Sequence, residues 1–256
     1  MASYFIYDSI NQYRSDNTIT EGQMTDSGTP TFSASNTLTS HERASDQNIG
    51  TALSGVADRD AIEYAVGSSV TADAAAVYFT GDDGVASGTI MTFFIDTDRA
   101  SLPSKGTISA VSASGWAVTD LTETTGTKFF TEFNASVSNV SEVLIGKKLA
   151  FEVEPDVNVQ STIDYNNEIN RSLGGVEYSI NVNPGQEVIT ISFQNISSTF
   201  KANLITMQDA LRGESKKFLY NDSSSFHWVR LDKPMTFTEI ADGRFSTQLV
   251  LRQQIQ

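Results

Sequence analysis

Apolar positions recur along this chain at two spacings, one helical and confined to a single stretch, the other short and strand-like nearly everywhere else. Within residues 198–212, Phe200, Leu204, Met207 and Leu211 fall three to four residues apart and form one stripe. Ser197 or Ser198 supplies an N-cap and Gly213 a stop, so the spacing predicts an amphipathic helix. After it, Lys216-Lys217-Phe218-Leu219-Tyr220 and Phe226-His227-Trp228-Val229-Arg230 are aromatic and apolar runs. The polar turn Asn221-Asp222-Ser223-Ser224-Ser225 separates them, as in a hairpin. A further strand is predicted at residues 187–193. Phe245-Ser246-Thr247-Gln248-Leu249-Val250-Leu251 alternates as the last strand.

The front of the chain reads as strands cut by turn residues. Tyr4-Phe5-Ile6-Tyr7 is a short strand, and residues 11–55 are polar enough to suggest loops with fragments near 31–34. Strands are then predicted at residues 61–66, 74–80, 90–95, 115–119, 128–133 and 141–146. Short strands at this spacing are the pattern of a β-sandwich. On the strand Lys128-Phe129-Phe130-Thr131-Glu132-Phe133, Phe129 and Phe133 share a face with Thr131 and Phe130 points to the other. One of those faces must be core. Pro155 and the polar stretch 164–170 mark a junction near 155–165, giving two domains, 1–160 and 161–256.

The sequence order of the C-terminal elements carries a resemblance. The helix at 198–212, Lys217-Phe218-Leu219-Tyr220, Trp228-Val229-Arg230 and the closing strand 245–251 together resemble the C-terminal part of tailed-phage minor tail proteins of the M type, which are similar to distal tail proteins. About a third of the chain is covered. The resemblance implies a split β-barrel with one packed helix. It also implies assembly into a six-fold homo-oligomeric ring on a tail axis, with tube, hub or fibre proteins as partners and the virion as location. It implies no catalytic residues. Lys217, Phe218, Tyr220, Trp228 and Arg230 are the assembly elements it suggests. Within residues 58–150, Ile62-Glu63-Tyr64, Ala75-Ala76-Val77-Tyr78-Phe79, Gly115-Trp116, the strand at 128–133 and Val140-Ser141-Glu142-Val143 resemble discoidin-like, galactose-binding-like sandwiches. The expected architecture is therefore all-β: an N-terminal jelly-roll or discoidin-like sandwich and a C-terminal distal-tail-like barrel with one helix.

Charge sharpens the division. Residues 1–160 carry a net charge of −13 and residues 161–256 a net charge of −1, within a total of −14. An acidic front half repels polyanions, which argues against specific nucleic-acid binding through phosphates. Acidic charge commonly serves solubility alone; the sharper alternative is that in an assembled ring it keeps a lumen non-adhesive to passing DNA. The chain has no cysteine, so disulfides and thiolate metal sites are excluded. Residues 1–10 are too short and polar for a signal peptide, and no run approaches a membrane helix, so cytoplasmic synthesis is expected.

Candidate chemistry is sparse. His41 and His227 are the two histidines; His227 reads as an alternating strand residue, and two histidines are too few for a zinc site. No Gly-x-Ser-x-Gly elbow occurs, and Gly81-Asp82-Asp83-Gly84 lacks the lysine of a phosphate loop. Asp82-Asp83-Gly84 and Asp96-Thr97-Asp98 offer carboxylates for calcium or glycoside hydrolysis, but they sit where Asp commonly makes turns. No cofactor and no enzyme activity are expected. Trp116 is the candidate carbohydrate contact, which leaves a host-surface glycan-binding module as the alternative to a structural tail component.

Overall fold

The computed structural model describes residues 3–7, 18–24, 32–33, 41–46, 48–53, 56–80, 89–96, 102–109, 115–134, 140–155, 159–165, 167–171, 177–181 and 185–254. Two compact units divide the chain: Ile6–Leu149 on one side, Ala150–Ile255 with Met1–Phe5 on the other. The protein is all-β with one α-helix among the described residues. No helix there is long and apolar enough to cross a membrane.

The first strand, β1 (Tyr4–Tyr7), straddles the division. The N-terminal unit continues with β2 (Thr18–Met24), β3 (Phe32–Ser33), a 3-10 turn at His41–Ser45, β4 (Asp60–Phe79), β5 (Thr89–Asp96), β6 (Ser104–Ser109), β7 (Gly115–Phe133) and β8 (Val140–Ala150). Two long strands, β4 and β7, form its spine. The first part of β4, Ala61 to Ala65, pairs with Lys128 to Glu132 of β7 and with β2. Its last part, Ala74 to Phe79, pairs with Gly115 to Asp120 of β7 and with β8. Register shifts between Ala65 and Val70 and between Ala72 and Ala74 separate these halves. Each spine strand therefore serves two sets of partners, β3-β2-β4-β7-β5-β6 and β8-β4-β7, which is how a bent strand builds two sheet layers.

This corrects the sequence reading, which ended one strand at residue 66 and began another at 74, and likewise separated 115–119 from 128–133. The exposed Gly67, Ser68 and Ser69 have turn-like composition but lie where β4 bends without leaving the sheet. On β7 the expected core face is present, and the opposite face is buried too. Phe129 and Phe133 join Ile62, Val77, Phe93 and Val143 in the larger core. Phe130 packs with Met24, Phe32, Ala61, Phe94 and Leu102 in a smaller one on the opposite face.

The C-terminal unit comprises β9 (Gln160–Asp164), β10 (Asn167–Arg171), β11 (Glu177–Asn181), β12 (Gln186–Ser197), α1 (Ser198–Ala210), β13 (Lys217–Asn221), β14 (Phe226–Leu231), β15 (Thr236–Ala241) and β16 (Arg244–Gln253). Antiparallel pairing runs β13-β14-β16-β12-β9, with β15 also on β16 and β10-β11 as a separate hairpin. The sequence reading missed β2, β6, β9, β10 and β15, all polar or short, while the Asp82-Asp83-Gly84 motif lies outside the described residues.

The helix forms as its sequence dictates. Ser197 is extended (φ −74°, ψ 163°), and its Oγ accepts from the Phe200 N–H at 3.1 Å. Phe200, Leu204, Met207 and Ala210 are buried, and the helix packs on β12 and β16. Arg212 and Gly213 then take positive φ (51° and 68°), and the Gly213 N–H donates to the Gln208 carbonyl at 2.9 Å, closing the end. Beneath lies an aromatic core. Phe5 meets Phe151 (4.6 Å between ring centroids), Phe218 and Tyr220 (5.4 Å each), and Phe151 meets Phe193 at 5.0 Å.

Candidate functional site

One hairpin and its neighbours build a cleft in the C-terminal unit. In β13 and β14, Tyr220 pairs across the ladder with His227, so both side chains share a face, and their rings stack at 5.6 Å and 27°. The connecting turn is locked by its own side chains. Asn221 Oδ1 accepts from the Ser223 N–H at 2.6 Å, and Asp222 Oδ1 accepts from the N–H groups of Ser224 (2.8 Å) and Ser225 (2.6 Å) and from Ser224 Oγ (2.8 Å). Ser223 sits at φ 75°, a left-handed conformation that these bonds hold in place.

Asp222 Oδ2 lies 3.0 Å from His227 Nε2. Burial alone would raise this carboxyl. The hydrogen bonds from Ser224 Oγ, His227 and the backbone N–H groups of Ser224 and Ser225 outweigh it and bring the pKa down to about 2. An ionised carboxylate only accepts, so the imidazole proton resides on Nε2 in the neutral ring and Nδ1 keeps its lone pair. Burial, followed by the charges of Asp222 and Glu154, pushes Tyr220 up to about 12, so its phenol stays protonated and able to donate.

Around this pair, Ser3, Glu154, Pro155, Val159, Ser161, Glu187, Ile189 and Ser223 complete a cleft of about 380 Å³. Glu187 and Ile189 are two residues apart on β12, and Ile189 pairs with Ser161 of β9, which brings all three to one face. Ser3 reaches the site because Phe151 N–H donates to the Ser3 carbonyl at 3.1 Å. Ser3 N–H and Oγ donate to the two oxygens of Glu154, at 3.4 and 3.1 Å, and Ser161 Oγ donates to Glu187. These hydroxyls face carboxylates and not the imidazole. The Asp222–His227 pair is therefore built as a fixed polar wall.

The residues singled out from sequence are distributed otherwise. Phe218, Tyr220 and Trp228 are buried within the unit, whereas Lys217 and Arg230, paired across β13 and β14, are only partly buried. Only Tyr220 belongs to the cleft. Trp116 is half-buried in the N-terminal unit, tilted against its cross-strand partner Tyr78 at 5.2 Å. Among the described residues no cluster of three or more His, Asp or Glu is arranged to hold a metal ion. Asp82, Asp83 and Asp98 fall outside that description. Sequence reasoning missed Glu154, Glu187 and Asp222. Asp222 had a signal, since an Asp opening a Ser-Ser-Ser turn commonly orders the turn through its carboxylate.

No protein-family model and no curated protein sequence matches this chain. Solved structures similar to it include the C-terminal domain of a chitobiase from Bacteroides fragilis (12% identity, TM-score 0.39, covering 55% of this chain and 98% of that one). A family 32 carbohydrate-binding module of NanJ from Clostridium perfringens, in complex with galactose, is another (11%, TM-score 0.36, 56% and 98%). A third is the corresponding module of AlyQ in complex with 4,5-unsaturated mannuronic acid (19%, TM-score 0.36, 46% and 93%). Likenesses this distant say nothing about which residues of this chain meet a ligand.

The depressed Asp222 carboxyl makes a testable acid limb. Its folded pKa of about 2 lies below the ordinary carboxyl value of 3.8, so the stability it contributes is present above pH 3.8 and lost as pH falls through 2. Melting temperature followed between these limits should fall more steeply in the native protein than in Asp222→Asn. Superimposable profiles would remove Asp222 as the source.

Proposed function

We propose that this protein is a carbohydrate-binding protein that holds a neutral, hydroxyl-rich ligand in the cleft of its C-terminal unit. The observation that carries the reading is the composition of the wall. Three carboxylates, Glu154, Glu187 and Asp222, stand beside the stacked Tyr220–His227 pair and the aliphatic Val159 and Ile189, and among the described residues no lysine or arginine lines the cleft. A sugar presents hydroxyl donors at its edge and C–H groups on its faces. Carboxylates accept the first, and the aromatic and aliphatic groups cover the second. The volume falls within the range of small-molecule sites, about 300–1,000 Å³.

Charge narrows the class. Three acidic groups without a cation repel phosphates, sulfates and uronic acids, so the ligand is neutral. Binding without chemistry fits the Ser3 and Ser161 hydroxyls, which are oriented toward Glu154 and Glu187 and not toward the His227 imidazole. Tail-ring assembly rests on the order of sequence elements alone. Of its residues, Lys217 and Arg230 remain for a contact surface, and the cleft supports glycan recognition better.

A glycan array of neutral and acidic sugars, followed by titration calorimetry on the best binder, tests the reading. Neutral glycans should bind, and Glu187→Gln should weaken them about tenfold, since a hydrogen bond to a charged acceptor contributes about 1.5–3 kcal/mol. Binding confined to acidic glycans, or unchanged in Glu187→Gln, would defeat it.

A further inference from the structure

Edge strand β9 continues the cleft wall outward. It pairs with β12 on one side and ends the order of the sheet. Side chains alternate on a strand, so Val159, Ser161, Ile163 and Tyr165 share one face. Val159 and Ser161 line the cleft, and Ile163 and Tyr165 extend the same row beyond it. Val159, Ile163 and Tyr165 are 45%, 59% and 50% exposed, and they are three of the five strongly exposed large apolar residues among those described. Single exposed apolar residues are ordinary, but a row of them leading out of a cleft marks a contact surface.

Gly185 shows that this row is held in place. Gln186 pairs with Asp164, so Gly185, one residue earlier, stands across from Tyr165. A Cβ there would lie 2.5 Å from Ile163 Cγ2 and 2.8 Å from Tyr165 Cε1, so the two side chains lie directly over the glycine backbone. Gly185 has no positive φ, and close packing rather than backbone freedom is what demands a glycine here. An aromatic ring laid across a cross-strand glycine is a fixed platform.

We infer that Val159, Ile163 and Tyr165 form an extension of the cleft that takes the further sugars of an oligosaccharide. The inference rests on the carbohydrate reading of the cleft and specifies its ligand as a chain rather than a single sugar. Two features select this occupant. The row is continuous with the cleft through Val159 and Ser161, and at about 3.3 Å per residue it runs on the order of 20 Å from Val159 to Tyr165, longer than one sugar ring. Its apolar side chains match the C–H faces of successive rings.

The test is calorimetry on the full chain with neutral cello-, chito- and galacto-oligosaccharides from monosaccharide to hexasaccharide. Affinity should rise with length, and Tyr165→Ala should cancel about tenfold of that gain while leaving monosaccharide binding unchanged. Gly185→Ala should do the same without removing a contact atom, because its methyl displaces Ile163 and Tyr165. A length gain that survives both variants overturns the extension and leaves the cleft reading standing. No binding at any length overturns both. Self-association seen by sedimentation and abolished by Tyr165→Ala would make the row a contact between copies and also overturn the extension.

Discussion

Phe5→Ala will destabilise the C-terminal unit by about 3–5 kcal/mol, the cost of truncating a fully buried phenylalanine in a core that cannot collapse around the hole. Phe5 has no exposed surface, and its ring is held by Phe151, Phe218 and Tyr220. Two of these partners are fixed in turn. Phe151 packs edge-on against Phe193, Phe193 against Phe200 of α1 at 5.9 Å, and Tyr220 against His227. The cavity would open among rings carried by β13 and the segment after β8 and backed by β12, β14 and α1, which limits relaxation. Denaturant unfolding with amide exchange read at Phe151, Phe218 and Tyr220 checks this. A loss near 1 kcal/mol, typical of an ordinary substitution, would show that the ring is dispensable. The effect should also reach the cleft, because Ser3 lies two residues from Phe5 and lines it.

That the fifth residue packs into a core built by the last hundred could not be read from the sequence. Tyr4-Phe5-Ile6-Tyr7 is recognisable as a strand, but which unit it joins depends on partners some 150 residues or more away. Local signals fared better. The cap at Ser197, the stripe from Phe200 to Met207 and the stop at Gly213 act within a few residues of one another, and the helix stands where they put it. The hairpin across Asn221–Ser225 was legible for the same reason. Bent strands were not, because Gly67-Ser68-Ser69 has the composition of a turn and only pairing to β7 on both sides of it keeps it in one strand. The cleft lay furthest from view. Ser3, Glu154, Ser161, Glu187 and Asp222 are individually unremarkable polar residues, and only the fold gathers them around Tyr220 and His227. Trp116, the candidate sugar contact in the sequence, lies half-buried against Tyr78 in the other unit.

Arg252→Ala is expected to cost the same unit about 2–4 kcal/mol, because it strips the shared partner from two carboxylates and leaves one of them largely buried. Arg252 lies near the end of β16. Its Nε and one terminal nitrogen bond both oxygens of Asp232, at 2.7 and 3.3 Å, and its other terminal nitrogen reaches Asp164 at 3.0 Å and Gln186 Oε1 at 3.4 Å. One guanidinium thus ties β16 to the start of β12, to the end of edge strand β9 and to the segment after β14. The Asp232 side chain is only 17% exposed, so its charge is costly once unpaired, whereas Asp164 is 41% exposed and regains water. Arg252→Lys should recover only part of the loss, since an ammonium cannot make the two-pronged contact with Asp232. Acid titration separates this from lost packing. The hydrogen bond from Arg252 holds the Asp232 carboxyl below its ordinary value of 3.8, against the opposing effect of burial, and the Arg252, Arg230 and Lys233 charges add to the lowering. The stability this contributes is present above that value and lost as pH falls through the lower folded value. Asp232→Asn should therefore flatten the acid limb and Arg252→Ala should flatten most of it, the Arg230 and Lys233 charges keeping the rest, while a mutation acting only through packing would shift the whole profile without changing its slope. If Arg252→Ala keeps the native slope, the clamp is not what ties these strands together.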